Sequence, residues 1–223
     1  FMDGTRAMKS RKIVVLAGGR SDEREVSLRS GRGCHEALRR KGHASRLIDF
    51  KGPADVETLL KDKPDGVLLL LHGAYGEDGC IQGLLEWTGI PYSGSDVAAS
   101  SLGMDKFLSK LNWTSAGLPC APGELFDEKL DFGALCRKWE CDALFMKPRC
   151  GGSSCGASIV ETEQQWLELG ERETGYLVEP YVRGREFSIG LLQGGDGWQA
   201  LPLLELRPKG RFYDYESKYT PGG

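Results

Sequence analysis

Apolar residues fall into two kinds of run along this chain, and the change between them divides it. Residues 12–17 (K-I-V-V-L-A) and 66–71 (G-V-L-L-L-L) are short runs without polar alternation, the pattern of strands buried on both faces, and a further strand is expected at 44–49 (A-S-R-L-I-D). Between them the spacing lengthens to helical period. The first helix is expected to follow Ser21 as N-cap, with Asp22 and Glu23 where acids suit the dipole. It would run to about Lys41, turn Val26, Ser30, Gly33, Ala37 and Leu38 toward a sheet, and stop at Gly42. Further helices are expected at 53–61 and 80–87. Strand, loop, helix, strand in this order predicts a parallel sheet with its ligand edge at the strand C-termini.

After a turn-rich stretch at 89–95 the order changes. Helices are expected at 96–102, 104–116 and 132–139, strands at 143–147 and 157–160, and a helix at 163–169. Strands at 176–182, 186–192 and 198–206 follow, the last two joined through G-G-D-G at 194–197. The fold class is α/β followed by α+β. Three domains are expected: 1–94, parallel and substrate-binding; 95–178, small and central; and 179–223, the start of a third.

Composition narrows the function more by exclusion than by assertion. The 223 residues are 40% hydrophobic and 27% charged, with a formal net charge of −3, which gives no nucleic-acid footprint. No apolar run approaches bilayer length. The seven cysteines show no C-x-x-C spacing and only three histidines are present, so reduced thiols in a cytoplasmic protein are expected rather than a zinc site. The start, F-M-D-G-T-R, has no apolar signal core, and Phe1 reads as a processed end or a cloning remnant.

Three glycine-rich loops carry the candidate chemistry. Gly18-Gly19 and the stretch from His72 to Gly79 (H-G-A-Y-G-E-D-G) each follow a strand, the place where open α/β sheets bind small molecules. Neither G-x-G-x-x-G nor G-K-[ST] occurs, which disfavours dinucleotide-binding and P-loop folds. The third, M-K-P-R-C-G-G-S-S-C-G-A-S at 146–158, sets Lys147 before a run of Gly151, Gly152, Ser153, Ser154 and Gly156. Such a loop offers backbone N–H groups and hydroxyls to a phosphate; an ordinary Gly/Ser hairpin has the same composition.

Six stretches in order settle which reading to favour: G-G-R-S-D-E-R-E-V-S-L-R-S-G at 18–31, H-G-A-Y-G-E-D-G-C-I-Q-G at 72–83, G-I-P-Y-S-G-S at 89–95, M-D-K at 104–106, K-P-R-C-G-G-S-S-C-G at 147–156 and Y-D-Y-E-S-K-Y at 213–219. Together they resemble the motif set of the D-alanine–D-alanine ligases, members of the ATP-grasp superfamily. The resemblance implies an ATP-grasp fold with a Rossmann-like first domain and a lid-forming central domain. It implies a reaction in which ATP phosphorylates one D-alanine and the amine of a second attacks the acyl phosphate, giving a dipeptide for the cell wall.

The resemblance also assigns residues. Lys106, Lys147 and Lys218 would meet the ATP phosphates, and Gly152, Ser153 and Ser154 would close over the γ-phosphate. Glu179, Val182, Glu186 and Tyr213 would complete the nucleotide site, with Pro180 where many relatives have a polar residue. Glu23, Val26, His72 and Glu77 would line the pocket of the first D-alanine. Glu23, Ser153 and Tyr219 form the expected catalytic set, and tyrosine at 219 favours dipeptide over ester. Mg²⁺ is an expected cofactor with its ligands beyond Gly223, so the chain reads as C-terminally incomplete. A homodimer is expected by analogy. Two other readings stay open: a different ATP-grasp carboxylate–amine ligase, and a truncated, non-catalytic nucleotide-binding relative.

Overall fold

In the computed structural model, which describes residues 9–170, 175–195 and 197–207, three strands build the first sheet. They are β1 (Lys12–Gly18), β2 (Ala44–Phe50) and β3 (Gly66–Leu69), parallel and in the order β2-β1-β3. Val14, Val15, Leu16 and Ala17 of the central strand are all buried, which explains why its sequence does not alternate. Tyr92 makes a further parallel bridge to Val67, and the Ser93 hydroxyl accepts the Leu69 N–H at 3.0 Å. Helices α1 (Arg24–Arg40) and α2 (Pro53–Asp62) connect these strands, and α3 (Cys80–Thr88) follows β3. The core they enclose contains Val14, Leu16, Ile48, Leu59, Val67, Leu71, Ile81 and Leu85.

Two details of α1 depart from expectation. The N-cap position is Glu23 rather than Ser21, whose hydroxyl instead accepts the Glu23 N–H at 3.3 Å. The buried face centres on Ser27 and Gly31, while Gly33 is exposed. A Cβ on Gly31 would lie 2.5 Å from the Ala17 Cβ, so glycine sets how closely the helix can approach β1. Small size, rather than hydrophobicity, selects this face.

Next come α4 (Val97–Met104) and α5 (Lys106–Ser115). Asp96 caps α4 by accepting the Ala99 N–H at 2.8 Å, and Asp105 accepts the N–H groups of Phe107 and Leu108 at 3.0 Å. The chain separates into two compact units, Phe1–Ser109 and Lys110–Gly223.

The second unit is built on β4 (Glu124–Leu125), β5 (Leu144–Pro148), β6 (Ser158–Val160) and β7 (Tyr176–Pro180), in the order β4-β7-β5-β6, all neighbours antiparallel. The boundary that the sequence suggests at 178 falls inside β7. Helices α6 (Phe132–Trp139) and α7 (Glu163–Gly170) accompany this sheet, and Leu135, Leu144, Met146, Val160, Trp166 and Val178 form its core. Strand β4 is too short for a periodicity to announce it.

The two long strands expected at 186–192 and 198–206 are each broken. They form β8 (Glu186–Ser188), β9 (Leu191–Gly194), β10 (Gly197–Ala200) and β11 (Leu204–Leu206), with β9 paired to β10 and β8 to β11. At the break the Leu201 N–H reaches the Gly190 carbonyl at 2.8 Å, and Pro202 has no N–H to continue the ladder. All seven cysteines are free thiols. Among the described residues no helix is long and apolar enough to cross a membrane.

Candidate active site

At the C-terminal edge of the parallel sheet, Ser27 joins three elements. Its buried hydroxyl accepts the Gly18 N–H at 2.8 Å and donates to the Leu70 carbonyl, so the first turn of α1 is fixed to the chain leaving β1 and β3. Glu23 stands one turn earlier. On the facing loop His72 Nδ1 lies 3.3 Å from Glu77 Oε1, and Glu77 Oε2 accepts the Gly73 N–H at 2.8 Å. A Cβ on Gly73 would sit 2.7 Å from Ser21 Cβ and 3.7 Å from Glu23 Oε2. The two loops are therefore in contact, and two carboxylates and an imidazole converge there.

The hydrogen bond to Glu77, opposed by partial burial and helped by the charges of Glu77 and Glu23, raises His72 above its ordinary value of 6.5. The same bond, with the Gly73 N–H, lowers Glu77 below 4.5. His72 therefore contributes fully below pH 6.5, and its contribution is lost as pH rises through the raised value. Glu77 contributes above pH 4.5 and loses its share as pH falls through the lowered value. His72→Asn is expected to reduce the melting temperature more at about pH 6 than at about pH 9. Equal losses at the two pH values in thermal melts would contradict the ion pair.

A cavity of about 400 Å³ opens beside this edge, lined by Gly19, Arg20, Leu71 and Tyr75 and by the β2–α2 turn. Glu23, Val26, His72 and Glu77 do not line it. Its walls are mainly apolar, with Arg20 5.8 Å over the Tyr75 ring.

In the second unit, β5 delivers Lys147 to the start of the glycine-rich loop. The β5–β7 register sets Phe145 opposite Glu179 and Lys147 opposite Leu177. Glu179 is buried, and its carboxylate bonds Lys147 through Oε2 and Lys110 through Oε1. In the loop, Ser153 and Ser154 take left-handed backbone angles (φ 52° and 58°), as do Gly151 and Gly156. Consecutive serines there are uncommon and costly in isolation, a feature that concentrates at functional sites. The Cys155 N–H bonds the Gly152 carbonyl at 3.1 Å, and the Ala157 N–H bonds that of Ser154 at 3.2 Å.

The structure thus brings together Glu23, His72 and Glu77 in one unit and Lys147 and Glu179 in the other. Val26 is half-buried on α1, and Lys106 is the first residue of α5. Gly152, Ser153 and Ser154 occupy the loop; Val182 is exposed after β7, and Glu186 opens β8. Tyr213, Lys218 and Tyr219 lie outside the described residues. Sequence reasoning missed Ser27 and Lys110. The signal for Ser27 was its place in the E-V-S stretch after the glycine turn; Lys110 gave none.

These features agree with the comparisons to known proteins. Residues 52–95 match the family described as D-ala D-ala ligase N-terminus, and residues 113–223 match D-ala D-ala ligase C-terminus. A D-alanine–D-alanine ligase of Laribacter hongkongensis is 42% identical over 220 residues, covering 95% of this chain and 69% of that protein. One from Aquifex aeolicus is 41% identical, with coverage of 95% and 72%. Among solved structures, the Bacillus anthracis ligase complexed with ATP aligns with a TM-score of 0.70 at 29% identity, over 93% of this chain and 69% of that one. Likeness of this extent, over 95% of the chain, means that the chain belongs to the D-alanine–D-alanine ligase family.

Proposed function

We infer that the protein is an ATP-dependent, ADP-forming ligase that joins two D-alanines into the dipeptide used for peptidoglycan precursors. The observation that carries this is 42% identity to a ligase of that activity over 95% of the chain. The geometry fits the chemistry. A D-alanine zwitterion needs a carboxylate for its ammonium group, and Glu23, beside His72 and Glu77, offers one at the edge where parallel sheets bind ligands. The apolar cavity near Tyr75 lacks such an acid in its lining, so the substrate is assigned to the Glu23 side, with Val26 on its wall.

For the nucleotide, Lys147 ends a strand beside a loop that is rich in donors, and Lys106 and Lys218 are assigned to the same phosphates. Gly152, Ser153 and Ser154 would cover the γ-phosphoryl group as it passes to the first D-alanine carboxylate. Donors placed where charge develops lower such a barrier. The second D-alanine amine then attacks the acyl carbon and phosphate leaves. Glu179, Val182, Glu186 and Tyr213 are assigned to the adenosine end, and Tyr219 to the catalytic set with Glu23 and Ser153.

Mg²⁺ belongs to this reading as the partner of ATP. Among the described residues no group of three His, Cys, Asp or Glu side chains has an arrangement that could hold a metal ion, and the roles above are those of protein side chains alone. A central lid domain at 95–178, a cytoplasmic location and a homodimer are further parts of the proposal. The test is phosphate release from Mg-ATP on adding D-alanine, with the dipeptide identified by mass. Turnover with D-alanine and none with L-alanine is expected; release that is indifferent to D-alanine would overturn the reading.

A further inference from the structure

Among the described residues Glu179 has two cationic partners, and they are not equivalent. Its side chain is 9% exposed, that of Lys110 12% and that of Lys147 25%. Lys110 is the more deeply set, on α5, while Lys147 is the more open and stands at the end of β5, where the glycine-rich loop begins. Space for the inner pair comes from Gly123. A Cβ there would come within 3.0 Å of Lys110 Cε and 3.2 Å of Glu179 Cγ. Two lysines and one carboxylate leave one net positive charge.

We propose that Lys110 is a positioning residue for the nucleotide: it retains the Glu179 carboxylate, so that Lys147 can pass from Glu179 to an incoming phosphate. The inference rests on the ATP-dependent reading above. Its physical basis is the asymmetry of buried pairs, since removing one partner leaves an uncompensated charge and is strongly unfavourable. With Lys110 in place, Glu179 keeps a cation when Lys147 turns to phosphate. Without it, phosphate must compete with a buried carboxylate for Lys147, and that carboxylate, once deserted, is left unpaired.

The test is calorimetric binding of Mg-ADP and of a non-hydrolysable Mg-ATP analogue to the full chain. Lys110→Met is expected to weaken binding of the analogue roughly tenfold or more, and Lys110→Arg to remain within about threefold of wild type. The loss should be smaller for ADP, and the KM for D-alanine should not change. Because Lys110 acts through Glu179, adding Lys110→Met to Glu179→Gln should cost no further affinity. That double variant leaves no buried charge unpaired, so it carries the test even if Lys110→Met alone does not fold.

A lower melting temperature with unchanged nucleotide affinity in Lys110→Met would overturn the proposal and leave Lys110 a structural pair. So would a loss from Lys110→Met that is the same in the wild-type and Glu179→Gln backgrounds. If wild type binds no nucleotide and releases no phosphate, the function reading fails instead; if wild type binds and Lys110→Met binds equally, only this inference fails.

Discussion

Ser153→Ala is expected to lower D-alanine-dependent turnover by roughly ten- to a thousandfold, with the fold intact. Removing one donor aimed at the charge that develops in transfer has effects of that order. The backbone argues that the change is clean. Ser153 holds φ at 52°, and alanine meets the same steric penalty there as serine, since neither side chain branches at Cβ. Stability should therefore move little while kcat falls. Steady-state phosphate release paired with thermal melts separates the two quantities. Wild-type turnover in the variant would mean that the loop does not serve the transferred phosphoryl group.

Glu23→Gln should act on a different parameter. The amide keeps the shape of the side chain and loses the charge that would hold an ammonium group. Truncating one member of a close charge pair costs about 2–5 kcal/mol, so the KM for the first D-alanine should rise roughly thirtyfold or more. Nucleotide affinity should stay near that of wild type. An acid whose sole task is to face the helix dipole contributes about 0.3–1 kcal/mol to stability. If the variant loses stability on that scale and keeps its KM, Glu23 is an N-terminal charge and not a substrate anchor. Initial-rate analysis over D-alanine concentration, with melts alongside, decides between them.

The strands of the two larger sheets, β4 excepted, were legible because buried parallel and central strands leave unbroken apolar runs, as at Val14 to Ala17. The acid and imidazole at the sheet edge were also legible, since His72 and Glu77 share one loop and Glu23 opens the helix after the first glycine turn. Three features were not. The buried face of α1 rests on Gly31 and Ser27, chosen for small size and for a hydroxyl with two backbone partners, and hydrophobic periodicity records neither. The break between β8 and β9 depends on Gly190 meeting Leu201 across the hairpin, a long-range match that neither segment reveals alone. Lys110 reads in sequence like any solvated lysine. Its burial follows from a carboxylate 69 positions away, met where the bare backbone of Gly123 leaves room for both side chains.

The way α1 is seated has a thermodynamic consequence for whatever binds at its start. Gly31 lets the helix lie against β1 without an intervening methyl, and the Ser27 hydroxyl ties its first turn to the chain leaving β1 and β3. Glu23 is thus carried by a backbone with little freedom left to lose. The ordering entropy is taken up when the domain folds, so a ligand that meets this carboxylate does not have to freeze the main chain that presents it. For a substrate as small as one amino acid, with few atoms from which to draw binding energy, such rigidity determines whether a single ionic contact suffices for capture.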